Sequence, residues 1–334
     1  MRIIVTGSAG FLGSHLADSL IEDGHEVLGI DNLSGGSLEN VFHNMYEADT
    51  GDFEEMDRII KEFKPDVVYH CACYAHEGLS TFSPHIVTKN TFGNSIALIS
   101  ACVKNNVKRF VYTSSMSRYG AIQTPFHETD TPRPEGPYAV AKVAVETILK
   151  QMSETHGMEY VIAVPHNIIG TRQKYDDPFR NVAAIFINRN LQGKPAILYG
   201  DGLQQRSFSF VEDCIYSMKK MIDCPSGEIY NIGPDEKDGA ISTVKELAEV
   251  VAKYTGYKGQ PINKPDRPRE VKISHCSSDK IREHFGYETK TTLDEGIKAM
   301  VEYIKEKGAR EFDYAIPVEI INDKTPTTWS KKEM

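Results

Sequence analysis

A glycine-spaced turn near the amino terminus limits what this chain can become. Thr6-Gly7-Ser8-Ala9-Gly10-Phe11-Leu12-Gly13 follows a short apolar run at 2–6 and opens an amphipathic stretch at 11–23. Glycine at such positions allows a tight turn, close backbone approach to a pyrophosphate, and packing of helix against strand. The helix start adds free N–H groups and a partial positive charge. Asp31 ends the second apolar run about 20 residues later, the spacing at which an acidic side chain meets the adenine ribose hydroxyls. A carboxylate there repels the extra phosphate of NADP, so NAD is the expected cofactor. A tight turn with an incidental aspartate is the plain alternative.

The rest of the first half repeats the same alternation. Strands are expected at 2–6, 26–30, 66–70, 109–113 and 160–164, with helices at 11–23, 53–63, 86–105 and 138–156. Strands apolar on both faces and separated by helices imply a parallel sheet covered on both sides. Right-handed crossovers make it an α/β, doubly wound, Rossmann-like fold. After residue 164 the composition shifts: 165–205 is rich in Asn, Arg, Gly and Pro, and 257–270 in Pro, Lys and Arg. The expected organisation is a nucleotide-binding domain at 1–165, with contributions from about 207–233. A smaller, mainly C-terminal α/β substrate domain follows at 166–316, and a Pro/Thr/Lys-rich tail at 317–334 that wraps the surface or frays.

Composition narrows the partners. A net charge of −9 argues against general affinity for nucleic acid or an anionic membrane. No apolar run reaches bilayer-spanning length. The strand-like start leaves no expected leader before the fold. Six scattered cysteines, without metal-ligand spacing, fit reduced thiols in a cytoplasmic enzyme with no metal site.

Chemistry is carried by a second constellation. Tyr138 and Lys142 stand four residues apart at the start of the expected 138–156 helix, so they share one face. A tyrosine is a poor base at neutral pH, and a nearby cation stabilises its phenolate. The phenolate can then take a hydroxyl proton as hydride leaves the same carbon. A surface Tyr and Lys would give the same spacing by chance. Ser114 and Ser115 follow the 109–113 strand, at the strand ends where ligands bind in open α/β sheets.

In combination these motifs resemble the extended short-chain dehydrogenase/reductase family, particularly its NAD-dependent nucleotide-sugar epimerases, over roughly residues 1–303. The resemblance implies Ser115, Tyr138 and Lys142 as the catalytic set. It implies a cofactor site of Gly7, Gly10, Phe11, Leu12, Gly13, Asp31, Asn32, Asp52, Phe53 and Asn90, together with Tyr138 and Lys142. Asp52 reads equally well as a helix N-cap, and Asn90 as a cap or buried amide. Asn167, Arg206 and Arg269, with Ser115, are the implied contacts to a nucleotide-sugar substrate, the arginines gripping its diphosphate. Arg172 and Arg180 are further cations of the same region. A homodimer through helices 86–105 and 138–156 is also implied.

The residues after Ser115 bear on the reaction. Dehydratases of the family place an Asp-Glu pair there and 3,5-epimerases a Cys; this chain has Met116 and Ser117. The expectation is therefore a 4-epimerase acting on a UDP-hexose or UDP-N-acetylhexosamine through a transient 4-keto sugar. A 4-dehydrogenase or ketoreductase of the same family is the alternative, and a non-catalytic NAD-sensing protein a more distant one. Ser274, a small residue, is expected to leave room for a 2-acetamido group. The 71–80 stretch departs from the family pattern: His76 and Glu77 either face the sugar or sit in a solvated loop.

Overall fold

The computed structural model describes residues 1–268 and 270–334. The strands in chain order are β1 (Arg2–Thr6), β2 (Glu26–Asp31), β3 (Met45–Glu47), β4 (Val67–His70), β5 (Arg109–Thr113), β6 (Glu159–Pro165), β7 (Ile168–Ile169), β8 (Ile197–Tyr199), β9 (Gln205–Ser207), β10 (Ser209–Phe210), β11 (Glu228–Ile232), β12 (Ile241–Thr243), β13 (Ile262–Lys264) and β14 (Ile273–Ser274). The helices are α1 (Phe11–Glu22), α2 (Phe53–Phe63), α3 (Glu77–Ser80), α4 (Pro84–Thr88), α5 (Asn94–Lys104), α6 (Pro137–His156), α7 (Val182–Leu191), α8 (Val211–Lys220), α9 (Val244–Thr255), α10 (Asp279–Phe285), α11 (Leu293–Lys307) and α12 (Thr327–Ser330).

Seven strands form one parallel sheet in the order β11-β6-β5-β4-β1-β2-β3. Alternation along β1 shows why both faces are covered. Ile3 and Val5 join a core built with α1 and α8, whereas Ile4 points into the opposite core, built with α2, α5 and α6. The chain reverses direction across the sheet between β1 and β4, which opens a crevice at the carboxyl ends of the strands.

A third core joins α7, α9 and α11 through Phe186, Leu247, Val251, Ile297 and Met300. Capping boxes start two of these helices: Thr243 with Glu246 on α9, and Thr292 with Glu295 on α11. A fourth, small cluster holds the tail. Trp329 on α12 is 3% exposed and packs with Leu79, Phe82 and Phe179. The tail is thus anchored rather than frayed. Among the described residues no helix is long and apolar enough to cross a membrane.

The expected long helix at 86–105 is interrupted. α4 and α5 are joined by a π-helical turn, Lys89–Gly93. Such turns often mark functional positions, and Asn90 lies in this one.

A buried polar network ties β5, α6 and β11 together. Ser114 donates to Glu146, and Glu146 pairs with Arg118 at 2.9 Å. Arg118 reaches the Tyr119 hydroxyl at 3.2 Å, which donates to Asn231 at 2.9 Å. Removing one partner of a buried pair leaves an uncompensated charge, which costs about 3–5 kcal/mol. Glu146→Ala is accordingly expected to lower the thermal unfolding midpoint by many degrees, measured by differential scanning fluorimetry, whereas exposed Glu154→Ala leaves it within about a degree.

Candidate active site

The phosphate loop is built by backbone contacts that admit no side chain. Gly7 adopts φ +70°, a conformation that glycine tolerates and most residues avoid, and a Cβ there would lie 2.8 Å from the Ala72 nitrogen. A Cβ on Gly13 would lie 2.2 Å from the Gly7 carbonyl oxygen. Strand and helix therefore meet through bare main chain. Asp31 closes the turn from below: one carboxylate oxygen accepts from the Ala9 N–H at 3.0 Å, the other from the Leu33 N–H at 2.7 Å. Burial pushes its pKa above the usual carboxylate value, against those hydrogen bonds.

From this loop a cavity of about 500 Å³ runs along the strand ends to the third core. Gly7, Gly10, Phe11, Leu12, Gly13, Asp31, Asn32 and Asn90 all line it. So do Ser115, Tyr138, Lys142, Asn167 and Arg206. The structure brings together most of what the sequence nominated.

Three nominations fall elsewhere. Asp52 caps α2, accepting from the Glu55 N–H at 3.1 Å, and neither it nor Phe53 lines the cavity. Ala48 and Thr50 form that wall instead, while Asp49 holds Asn32 and Asn94 at 3.0 and 2.7 Å. Ser274 is buried in the β9–β14 pair, beside the Arg206 backbone, and does not line the cavity, so it carries no argument about room for an acetamido group. Arg269 lies outside the described residues.

The proton-handling groups sit midway along the cavity. Pro137 occupies the first turn of α6, which suits its fixed φ and missing N–H. Tyr138 and Lys142, 5% and 2% exposed, turn inward from this helix. Lys142 Nζ donates to the Thr113 carbonyl at 2.7 Å and lies 5.7 Å from the Tyr138 ring centre. Ser115 stands beside the Tyr138 phenol and lowers its pKa, and Ser117 Oγ donates to Ser115 Oγ at 3.0 Å. Burial pushes the phenol well above its usual pKa, and the neighbouring Cys73 and Glu77 push the same way; the Ser115 hydrogen bond and the Arg180 charge oppose them.

Beyond Tyr138 the wall becomes strongly charged. Arg267 pairs with Glu270 at 2.6 Å and stacks 4.8 Å above the Tyr199 ring. Arg206 donates to the main-chain carbonyls of Gln205 and Val271, at 2.7 and 2.6 Å. Asn167, at φ +36°, donates to the Ser207 carbonyl at 2.9 Å. Arg172 leaves the site to pair with Asp18 at 2.6 Å, whereas Arg180 lines it and pairs with Asp177 at 3.3 Å. Sequence reasoning missed Arg267, Glu270 and Trp329 in this wall. Arg267 was within reach, because it stands two residues before the nominated Arg269 in the same Pro/Arg-rich 265–270 stretch.

The model of the NAD dependent epimerase/dehydratase family matches residues 3–233. The chain belongs to this family. It is 32% identical to a UDP-glucose 4-epimerase of Mycolicibacterium smegmatis, over 92% of this chain and 99% of the relative. A dTDP-glucose 4,6-dehydratase of Salmonella typhimurium is 28% identical over 91% of this chain and 92% of its own. Among solved structures, a UDP-glucose 4-epimerase of Thermotoga maritima with UDP-glucose superposes with TM-score 0.86 at 34% identity, over 92% of this chain and 99% of the other. As a member of an NAD-dependent enzyme family, the chain is an enzyme. Its glycine loop fits the cofactor, since Gly7, Gly10 and Gly13 present bare main chain to the cavity at the start of α1, whose first turn has no side-chain cap. Gly13→Ala would push a methyl group against backbone. The expected outcome is protein purified without bound NAD, measured by enzymatic assay of cofactor released on denaturation.

Proposed function

We propose that the chain is a nucleotide-sugar 4-epimerase. The observation that carries this reading is the setting of Ser115, Tyr138 and Lys142. They stand together between the glycine cradle and a cationic wall, and the turn after Ser115 offers no carboxylate. Met116 packs into the core there, and Ser117 spends its hydroxyl on Ser115. Elimination of water needs a separate acid and base, which this turn lacks. The 4-epimerase relatives, one solved with UDP-glucose, support the same reading and favour a UDP-hexose.

Held by the Gly7, Gly10 and Gly13 loop and Asp31, NAD would supply a reversible hydride acceptor for the sugar C4. The protein's own groups handle protons and position. Tyr138, as phenolate, removes the proton from the C4 hydroxyl, and as phenol gives it back. Ser115 holds the same oxygen and stabilises the phenolate by its hydrogen bond. Lys142, fixed by the Thr113 carbonyl, brings a positive charge under the tyrosine ring. Arg206 and Arg267 supply guanidinium groups for the diphosphate, and Asn167 an amide beside it.

Incubation with a panel of UDP-, dTDP-, GDP- and CDP-sugars, with products resolved by NMR, tests this directly. A C4-inverted sugar without added cofactor is expected. A dehydrated product, or an accumulated ketone that needs added cofactor, refutes it. Tyr138→Phe should lower kcat by about 10²–10⁴-fold, the usual share of a positioned acid–base group, with the fold intact by circular dichroism.

The pH profile carries a sign. The phenolate is the active form, so kcat rises with pH as Tyr138 ionises. The Ser115 hydrogen bond lowers the phenol pKa. Ser115→Ala therefore raises it, and the rising limb of kcat against pH should move to higher pH as well as fall in height.

A further inference from the structure

One carboxylate in the cavity has no part in this mechanism. Glu77 opens α3 in the loop that follows β4. Glu77 is exposed within the cavity that it lines with Tyr138, Arg206 and Arg267. An added Cβ on the next residue, Gly78, would lie 3.5 Å from Arg267 Nη1, and the charges of Arg206, Arg267, Glu270 and Glu135 all act on the Glu77 carboxylate. Both arginines are engaged elsewhere, Arg206 by main-chain carbonyls and Arg267 by Glu270. The Glu77 carboxylate has no hydrogen bond to any described residue; the Ser80 hydroxyl bonds only its main-chain carbonyl, at 2.6 Å.

The backbone beneath this carboxylate is fixed from three directions. His76, 1% exposed, pairs with Asp177 at 2.9 Å. Leu79 is fully buried. Gly78 lies against the tail tryptophan, where an added Cβ would be 3.3 Å from Trp329 Cη2. The carboxylate is thus an open acceptor carried on a fixed backbone. If Tyr138 meets the sugar C4 and the arginines meet the diphosphate, the hexose spans the interval between them, and Glu77, whose charge acts on both Tyr138 and Arg206, lines the same cavity.

We propose that Glu77 selects the sugar: its carboxylate accepts a hydrogen bond from a neutral hexose and turns away hexoses that carry a carboxylate. This rests on the epimerase reading for where the hexose lies. Both halves follow from charge. A site built to bond a substrate hydroxyl discriminates strongly against analogues that cannot supply it. A fixed like charge adds a repulsive element, which sharpens specificity further.

The test is isothermal titration of the cofactor-containing wild type and Glu77→Gln with UDP, UDP-glucose and UDP-glucuronic acid, alongside turnover of UDP-glucose. Wild type should bind UDP-glucose at least about tenfold more tightly than UDP-glucuronic acid, the scale of one hydrogen bond to a charged group. In Glu77→Gln that ratio should shrink by about tenfold, while affinity for UDP stays unchanged. An unchanged ratio, or an equal loss of affinity for UDP itself, overturns the proposal. Failure of the epimerase reading would look different: the binding ratio would shift as expected, but no C4-inverted product would form.

Discussion

The contact of bare backbone between Gly7, Gly13 and Ala72 sets the geometry of the rest of the site. It brings the end of β1, the start of α1 and the end of β4 closer than any side chain allows. Three things follow. The N–H groups at the start of α1 face open space. Asp31 comes within reach of the Ala9 N–H and locks the turn from the neighbouring strand. The chain leaving β4 is drawn alongside, so the 71–80 loop runs down the same cavity instead of turning away. The cofactor cradle and the loop at the far end of the cavity are therefore consequences of one close approach.

The buried charges divide into two kinds. Glu146 is enclosed and fully engaged, with Ser114 on one oxygen and Arg118 on the other. It holds the strand end from which Ser115 projects, and its role is positional. Asp177 is similar: burial alone would raise its pKa, but the His76 and Arg180 pairs outweigh that and hold it down at about 2. Glu77 is of the other kind. Burial raises its pKa, the two arginines only partly offset that, and no donor meets it. The cavity leaves that carboxylate open, bonded to none of the cations around it. That contrast separates an open group from the struts around it.

The sheet was legible in the sequence because periodicity reports burial. The strand runs at 2–6, 26–30, 66–70, 109–113 and 160–164 are apolar on both faces, and each became a sheet strand to within a residue. The meeting of Ser115, Tyr138 and Lys142 in one cavity was legible for a similar reason: they are placed by local structure, a strand end and one helix turn. Long-range placement was not. Asp52 has the identity of an adenine contact and the position of an N-cap, and the cap is where it sits. The helix at 86–105 shows unbroken apolar spacing, yet a π turn at Asn90 shifts the register, which no composition signal announces. Arg206, carried on a strand with a fixed register, reached the cavity as expected. Arg267 lies in an irregular stretch, where alternation gives no direction.

The tail extends this argument. A Pro/Thr/Lys-rich segment has little apolar surface of its own, so its sequence reads as unattached. Its attachment depends on groups far away in the chain. Ser83 donates to the Pro317 carbonyl, Glu319 accepts from the His85 and Ile86 N–H groups, and Tyr314 donates to the Thr328 carbonyl. These bonds hold α12 so that a single tryptophan fills the space above Gly78. The segment after Lys307 lies far along the chain from Tyr138. Its Trp329 nevertheless lines the same cavity as Tyr138. Residues of the tail thus shape a cavity whose floor the Rossmann sheet supplies, and the loop they press on, around Gly78 and Leu79, is one where this chain departs from the family pattern.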